Sequence, residues 1–199
     1  MSVSLQKNQG VSLSKEAGGG LKKISLGVGW DVAAPKKGIF SSLLGGGGGG
    51  GSIDLDASCI AYDAGASSVD VVWFGQLTSR DGSIRHSGDN LTGEGDGDDE
   101  TIVIDLERLP AQVETIILTV NSFRGQTFDK VANAYARVID NNNGRELARF
   151  NISDSGPHTG LLLASLKRAG NQWNFTALGE RTSGRTVHDL ASAATAHAR

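Results

Sequence analysis

Apolar residues in this chain recur mostly at every second position, in short runs broken by glycine, aspartate and asparagine. Val3 and Leu5 alternate with polar residues, as do Val11 and Leu13. Ile24, Leu26 and Val28 alternate with Ser25 and Gly27, which predicts a half-buried strand ending at Gly29-Trp30-Asp31. Trp30 reads as core and Asp31 as a strand-end residue. In 53–62, Ile53, Leu55 and Ala57 share one strand face, and Asp54 and Asp56 the other. Residues 69–74 are nearly all apolar and read as a central strand. Residues 77–84 read as a hairpin with Asp81-Gly82 at its tip. Residues 102–106 and the β-branched run 115–120 are further strands. Residues 126–134 read as one or two helical turns with Phe128, Val131 and Ala132 inward. Strands 135–139 and 146–152 flank an Asp-Asn-Asn-Asn-Gly turn, and strands 161–168 and 173–178 flank another turn. From Thr186 onward, alanine-rich sequence suggests a frayed helix. Many closely spaced strands with little helix predict an all-β fold, an antiparallel β-sandwich of two sheets with short helical segments.

Two stretches interrupt the pattern. Residues 33–38 read as a linker, 39–44 as a small apolar island, and Gly45 to Gly51 are seven consecutive glycines. Glycine loses the most backbone entropy on ordering, so this run is expected to be mobile. The expected organisation is one sandwich domain over 1–182 with a glycine-rich insertion at 35–52, then a tail over 183–199 that is helical in part. A chain of 199 residues buries enough surface for such a core. A net charge of −3 gives no basic footprint and argues against nucleic acid. A single cysteine, Cys59, excludes an intrachain disulfide and reads as a small buried residue. No signal-peptide pattern opens the chain, and no apolar run is long enough to span a bilayer. The expectation is a cytoplasmic protein without a transmembrane segment.

The second interruption carries the chemistry. Residues 86–100 hold Asp89, Glu94, Asp96, Asp98, Asp99 and Glu100, separated by glycines, with no Lys or Arg among them. Two carboxylates about 4–5 Å apart repel by roughly 3–4 kcal/mol at an effective dielectric near 20. A loop carrying six needs a counter-charge, or it stays open in water as a solvated acidic loop. Oxygen ligands on a glycine-rich backbone suit Ca²⁺, which accepts six to eight oxygens in loose geometry. Asp54 and Asp56, on one strand face, either share a cation or face water. The EF-hand pattern is absent, because Thr101 stands where its turn glycine would be. His86, His158, His188 and His197 lie far apart without zinc-like spacing, and His86 reads as a surface histidine. Neither a nucleophile elbow nor a phosphate loop is present. Two alternatives remain beside a calcium module: a metal-assisted hydrolase using the acidic cluster, and an interaction scaffold docking through 39–44.

Several segments, in order, resemble one family. Ser2-Val3-Ser4-Leu5, Gly29-Trp30-Asp31, Asp54-Leu55-Asp56-Ala57-Ser58, the acidic stretch from Ser87 to Glu100, and Arg124-Gly125-Gln126-Thr127-Phe128 are similar to the TerD family of tellurium-resistance and stress-response proteins. The resemblance runs from residue 1 to about 180. It implies a two-sheet β-sandwich, two neighbouring Ca²⁺ ions, no enzymatic activity and a bacterial cytoplasmic setting. It also implies tellurite and chemical stress resistance, in complexes with related stress-response proteins at the inner membrane. On this resemblance Asp54, Asp56, Asp89, Glu94, Asp96, Asp98, Asp99 and Glu100 supply most calcium ligands, with Asp31, and with backbone carbonyls such as that of Asn90. The insertion 35–52 and the C-terminal tail depart from the pattern.

Overall fold

The computed structural model describes residues 2–33, 53–88, 97–152 and 156–199. The apolar island and the glycine run of the insertion lie outside the described residues. So do Asp89, Asn90, Glu94 and Asp96.

Twelve strands are described: β1 (Val3–Leu5), β2 (Gly10–Ser12), β3 (Lys23–Val32), β4 (Leu55–Tyr62), β5 (Ser68–Val72), β6 (Ile84–His86), β7 (Glu100–Asp105), β8 (Thr115–Ser122), β9 (Val131–Asp140), β10 (Arg145–Asn151), β11 (Gly160–Ala169) and β12 (Gln172–Thr182). A one-turn helix, α1 (Leu13–Glu16), follows β2, and α2 (Val187–Ala198) ends the chain. The strands form two six-stranded sheets, in orders β1-β10-β9-β3-β7-β6 and β2-β12-β11-β8-β4-β5. All pairings are antiparallel except β1 with β10. The expected β-sandwich is therefore the fold.

Alternation sets which side chains meet between the sheets. Ile24, Leu26, Val28 and Trp30 of β3 face Leu55, Ala57 and Cys59 of β4 across one core. A second apolar cluster lies on the outer face of the second sheet. There Ile60, Tyr62, Ile117 and Leu162 pack against Val187, Leu190, Ala194 and Ala198 of α2. The strands β4 and β8 are buried along their whole length because they are covered on both faces.

Four details differ from the sequence reading. The strand in 69–74 is β5 (Ser68–Val72), an edge strand and not a central one; Val72 is buried in the main core, Val69 packs partly against it, and Val71 and Trp73 pack partly on the α2 cluster. Residues 126–134 give a single 3₁₀ turn, Phe128–Lys130, before β9 begins. Phe128 is buried as expected, whereas Val131 and Ala132 are only partly covered. The C-terminal helix is not frayed. Its capping box joins Thr186 and Asp189, and four of its residues are buried on the sheet. Leu13 lies in α1 rather than in a strand.

Candidate functional site

Trp30 organises the end of the sandwich where the acidic stretch enters. It is the last inward residue of β3 before Asp31, and it is buried. Its backbone N–H donates to Asp99 Oδ2 at 2.8 Å, and its indole N–H donates to the Ile53 carbonyl at 3.2 Å. One residue thus ties together three segments that carry acids: Asp31, the 97–100 segment, and Ile53-Asp54.

The outer face of the first sheet beds the acidic segment. Its β3 residues there are Gly27 and Gly29, and a larger residue at either would have to displace a side chain that packs on it. A Cβ on Gly27 would collide with the Asp98 carboxylate, and one on Gly29 with the Tyr135 ring. Asp98 accepts a hydrogen bond from Arg137 Nε at 2.7 Å. The Tyr135 hydroxyl donates to the Gly97 carbonyl at 2.6 Å and lies 3.1 Å from Asp98 Oδ1. Burial, helped by the Asp98 charge, pushes the Tyr135 phenol above its ordinary pKa, so it stays a donor. Arg149 lies over the Tyr135 ring, 3.7 Å from its centre, and shares Glu146 with Arg137.

Charge concentrates at this end. Burial pushes the Asp99 carboxyl above its ordinary pKa, and the charges of Asp31 and Asp98 push it further; the Trp30 N–H opposes them. Asp31 is exposed and accepts a hydrogen bond from Asn133 Nδ2 at 2.7 Å. Asn133 holds a positive φ of 50° in β9, a conformation asparagine tolerates.

The other candidate ligands sit differently. Asp54 and Asp56 face neither water nor each other's solvent shell: both are 3% exposed. Arg124 Nε lies 3.1 Å from Asp54 Oδ2. Asp56 shares its strand face with Asn121 of β8, its register partner, and accepts from Asn121 Nδ2 at 3.0 Å. The same amide donates to the Arg185 carbonyl just before α2. Glu100 points into the interior from β7. Its Oε2 accepts the Ala57 N–H at 2.6 Å, on a stretch of β4 that β5 does not cover.

His86 is a correction to the sequence reading: it is buried, not on the surface. Its Nδ1 accepts the Gly88 N–H at 3.0 Å, so the proton resides on Nε2, which donates to the Ala57 carbonyl at 2.9 Å. The same Nε2 is 3.3 Å from Glu100 Oε2. His86 and Glu100 therefore join the two ends of the acidic stretch to one residue of β4, Ala57. Cys59 is buried as expected, and burial pushes its thiol up to about 12.

Among the described residues no three His, Cys, Asp or Glu side chains are placed to hold a metal by themselves. The residues that sequence reasoning missed are Asn121, Asn133, Tyr135 and Arg137. A signal for three of them was present: Asn133, Tyr135 and Arg137 are spaced by two on an otherwise apolar strand, so they share a face.

The TerD domain model matches residues 1–193. The chain is 52% identical over 190 residues to tellurium resistance protein TerZ of Serratia marcescens, covering 96% of this chain and 95% of that one. It is 40% identical to stress response protein SCP2 of Bacillus subtilis, covering 96% and 98%. The crystal structure of a Streptomyces coelicolor homologue of telluride resistance protein TerD superposes with a TM-score of 0.67 at 25% identity, covering 86% and 96%. Among the described residues no helix is long and apolar enough to cross a membrane. The match over nearly the whole length, with a relative more than half identical, places this chain in the TerD domain family.

Proposed function

We propose that this protein is a non-enzymatic calcium-binding module of tellurite resistance and chemical stress response. It acts in the cytoplasm through calcium-dependent assembly with related stress-response proteins at the inner membrane. The supporting observation is the gathering of Asp31, Asp98 and Asp99 at the Trp30 end of the sandwich, where the acid-rich residues 89–96 join the chain. These three carboxylates are hard oxygen donors on a glycine bed, and their mutual repulsion is what a divalent cation would relieve.

The ligands proposed are Asp31, Asp98 and Asp99 with Asp89, Asn90, Glu94 and Asp96, for two Ca²⁺ ions. Asp54 joins them through Trp30 and Ile53, and Asp56 lies one strand repeat further along β4. Glu100 contributes through the stem, since its carboxylate holds Ala57 and His86. Arg137 and Tyr135 position Asp98. Calcium supplies charge neutralisation here, and the chain supplies the oxygens and the rigid sheet beneath them. The names of the relatives support the stress-resistance assignment, and none of those names describes an enzyme.

Calorimetric titration of the chelator-treated protein with CaCl₂ tests the proposal. Saturable binding is expected, weakened at least about tenfold by Asp99→Asn, with Mg²⁺ a poor competitor. Absence of any binding heat, together with an unchanged melting curve, would remove the reading.

A further inference from the structure

The opposite end of the β6–β7 hairpin, away from the acidic stretch, holds a small cavity of about 130 Å³ on the outer face of the first sheet. Three cations border it: Lys23 at the start of β3, Arg85 in β6, and Arg108 in the turn after β7. Among the described residues none of these three side chains forms an ion pair or a hydrogen bond. Elsewhere on this surface cations do find carboxylates, as Lys22 finds Glu107 and Arg137 finds Asp98.

Ser83 also lines the cavity. It is 2% exposed, and its Oγ has no hydrogen-bond partner among the described residues. A buried hydroxyl left unsatisfied is unfavourable, so it calls for an oxygen that the described residues do not provide. One carboxylate, Asp105, stands among the cations. Its Oδ1 accepts the Arg108 backbone N–H at 3.1 Å, and it is the register partner of Lys23. Three cations against one anion leave the cavity positive.

The frame is rigid. Lys23 and Arg85 stand on strands flanking β7, and the Asp105 N–H donates to the Ser83 carbonyl at 2.8 Å. Gly82, at the tip of the 77–84 hairpin, has φ +76°, and a Cβ there would lie 3.6 Å from the Arg108 guanidinium, in ordinary contact. We propose that this cavity is an anion site: Lys23, Arg85 and Arg108 bind one small oxyanion, and the Ser83 hydroxyl donates to one of its oxygens. The volume accommodates a phosphate-sized oxyanion or headgroup. Guanidinium forks match such oxygens, and the ammonium of Lys23 adds a point charge. This site shares no residue with the proposed calcium ligands.

The test is calorimetric titration of the full-length protein in a chloride buffer, with inorganic phosphate in one arm and tellurite in the other. A dissociation constant of about 1 mM or tighter is expected in at least one arm. Arg85→Gln and Arg108→Gln should each weaken it about tenfold or more, and Ser83→Ala severalfold, whereas Arg145→Gln on the β9–β10 turn leaves it unchanged. All four variants should keep the wild-type circular dichroism and the same calcium titration. Binding in only the phosphate arm or only the tellurite arm names the oxyanion and supports the site. Saturable binding in neither arm, or binding indifferent to Arg85→Gln and Arg108→Gln, would overturn it.

Discussion

At the scale of the residue, single polar side chains in this fold hold whole loops, and Asp70 is the plainest case. It is 7% exposed on β5. Its Oδ1 accepts the Val71 N–H and the Gln76 amide, each at 2.9 Å, and its Oδ2 accepts the Arg80 N–H at 2.8 Å. Burial alone would raise its pKa, but these donors, with the Arg80 charge, hold it below the ordinary carboxylate value. A depressed folded-state pKa means that the stabilisation is complete above the unfolded value of 3.8 and is lost as pH falls through the folded one. Asp70→Asn should therefore cost about 1–3 kcal/mol at neutral pH by leaving a buried donor unmatched. Urea melts in acid should show the difference from wild type closing below about pH 3.8. A constant difference across the pH range would contradict the assignment. Sequence did not single Asp70 out, since its partners lie on a loop whose path depends on β5 being an edge strand. The same holds for His86: one histidine beside acids says nothing about burial until β4 leaves Ala57 open beside it.

Elements were more legible than their partners. Period-two alternation located β3, where one face lies in the core and the other does not, whereas β8 was read from its β-branched run because both its faces are covered. The run 115–120 read as a buried strand and 161–168 as a hairpin strand, and both are central. What covers their outer face was not legible. The covering surface of α2 is Val187, Leu190 and two alanines, a weak stripe that resembles a solvent helix until the sheet beneath it is known. Packing supplies the stability that the local sequence lacks. Leu190 is the main contact. It is fully buried, and it lies against Gly160 and Gly184, where side chains would intrude. Leu190→Ala should cost about 2–5 kcal/mol, seen as a lower urea midpoint with unchanged m-value. A loss below about 0.5 kcal/mol would mean that the helix is an ornament on a sheet that stands without it.

Across the whole molecule, the sandwich serves to collect acids from distant points of the chain at one end. The acidic stretch was legible as a candidate site from its composition alone, but the way it is held was not. Trp30, Gly27, Gly29, Tyr135 and Arg137 act through register between β3 and β9, which only the fold supplies. On the proposed calcium reading, this arrangement makes stability depend on cation. Without calcium, Asp31, Asp98 and Asp99 repel one another, and the folded state carries that repulsion while the unfolded chain spreads it out. On the proposed reading, calcium that binds only the folded arrangement stabilises it by mass action, about 2.7 kcal/mol for one site at a hundredfold excess over its dissociation constant. For a chain of this size each kcal/mol moves the melting temperature by about 2–4 °C, so saturation should raise it by about 5–11 °C relative to chelator. The double variant Asp98→Asn/Asp99→Asn separates charge from structure. In chelator it should melt no lower than wild type, because repulsion is relieved as the Asp98–Arg137 pair is weakened. In calcium it should gain little. If wild type and variant instead responded alike to calcium, the acids at the Trp30 end would not be its ligands, and the stress-response assignment would have to rest on some other surface of this sandwich.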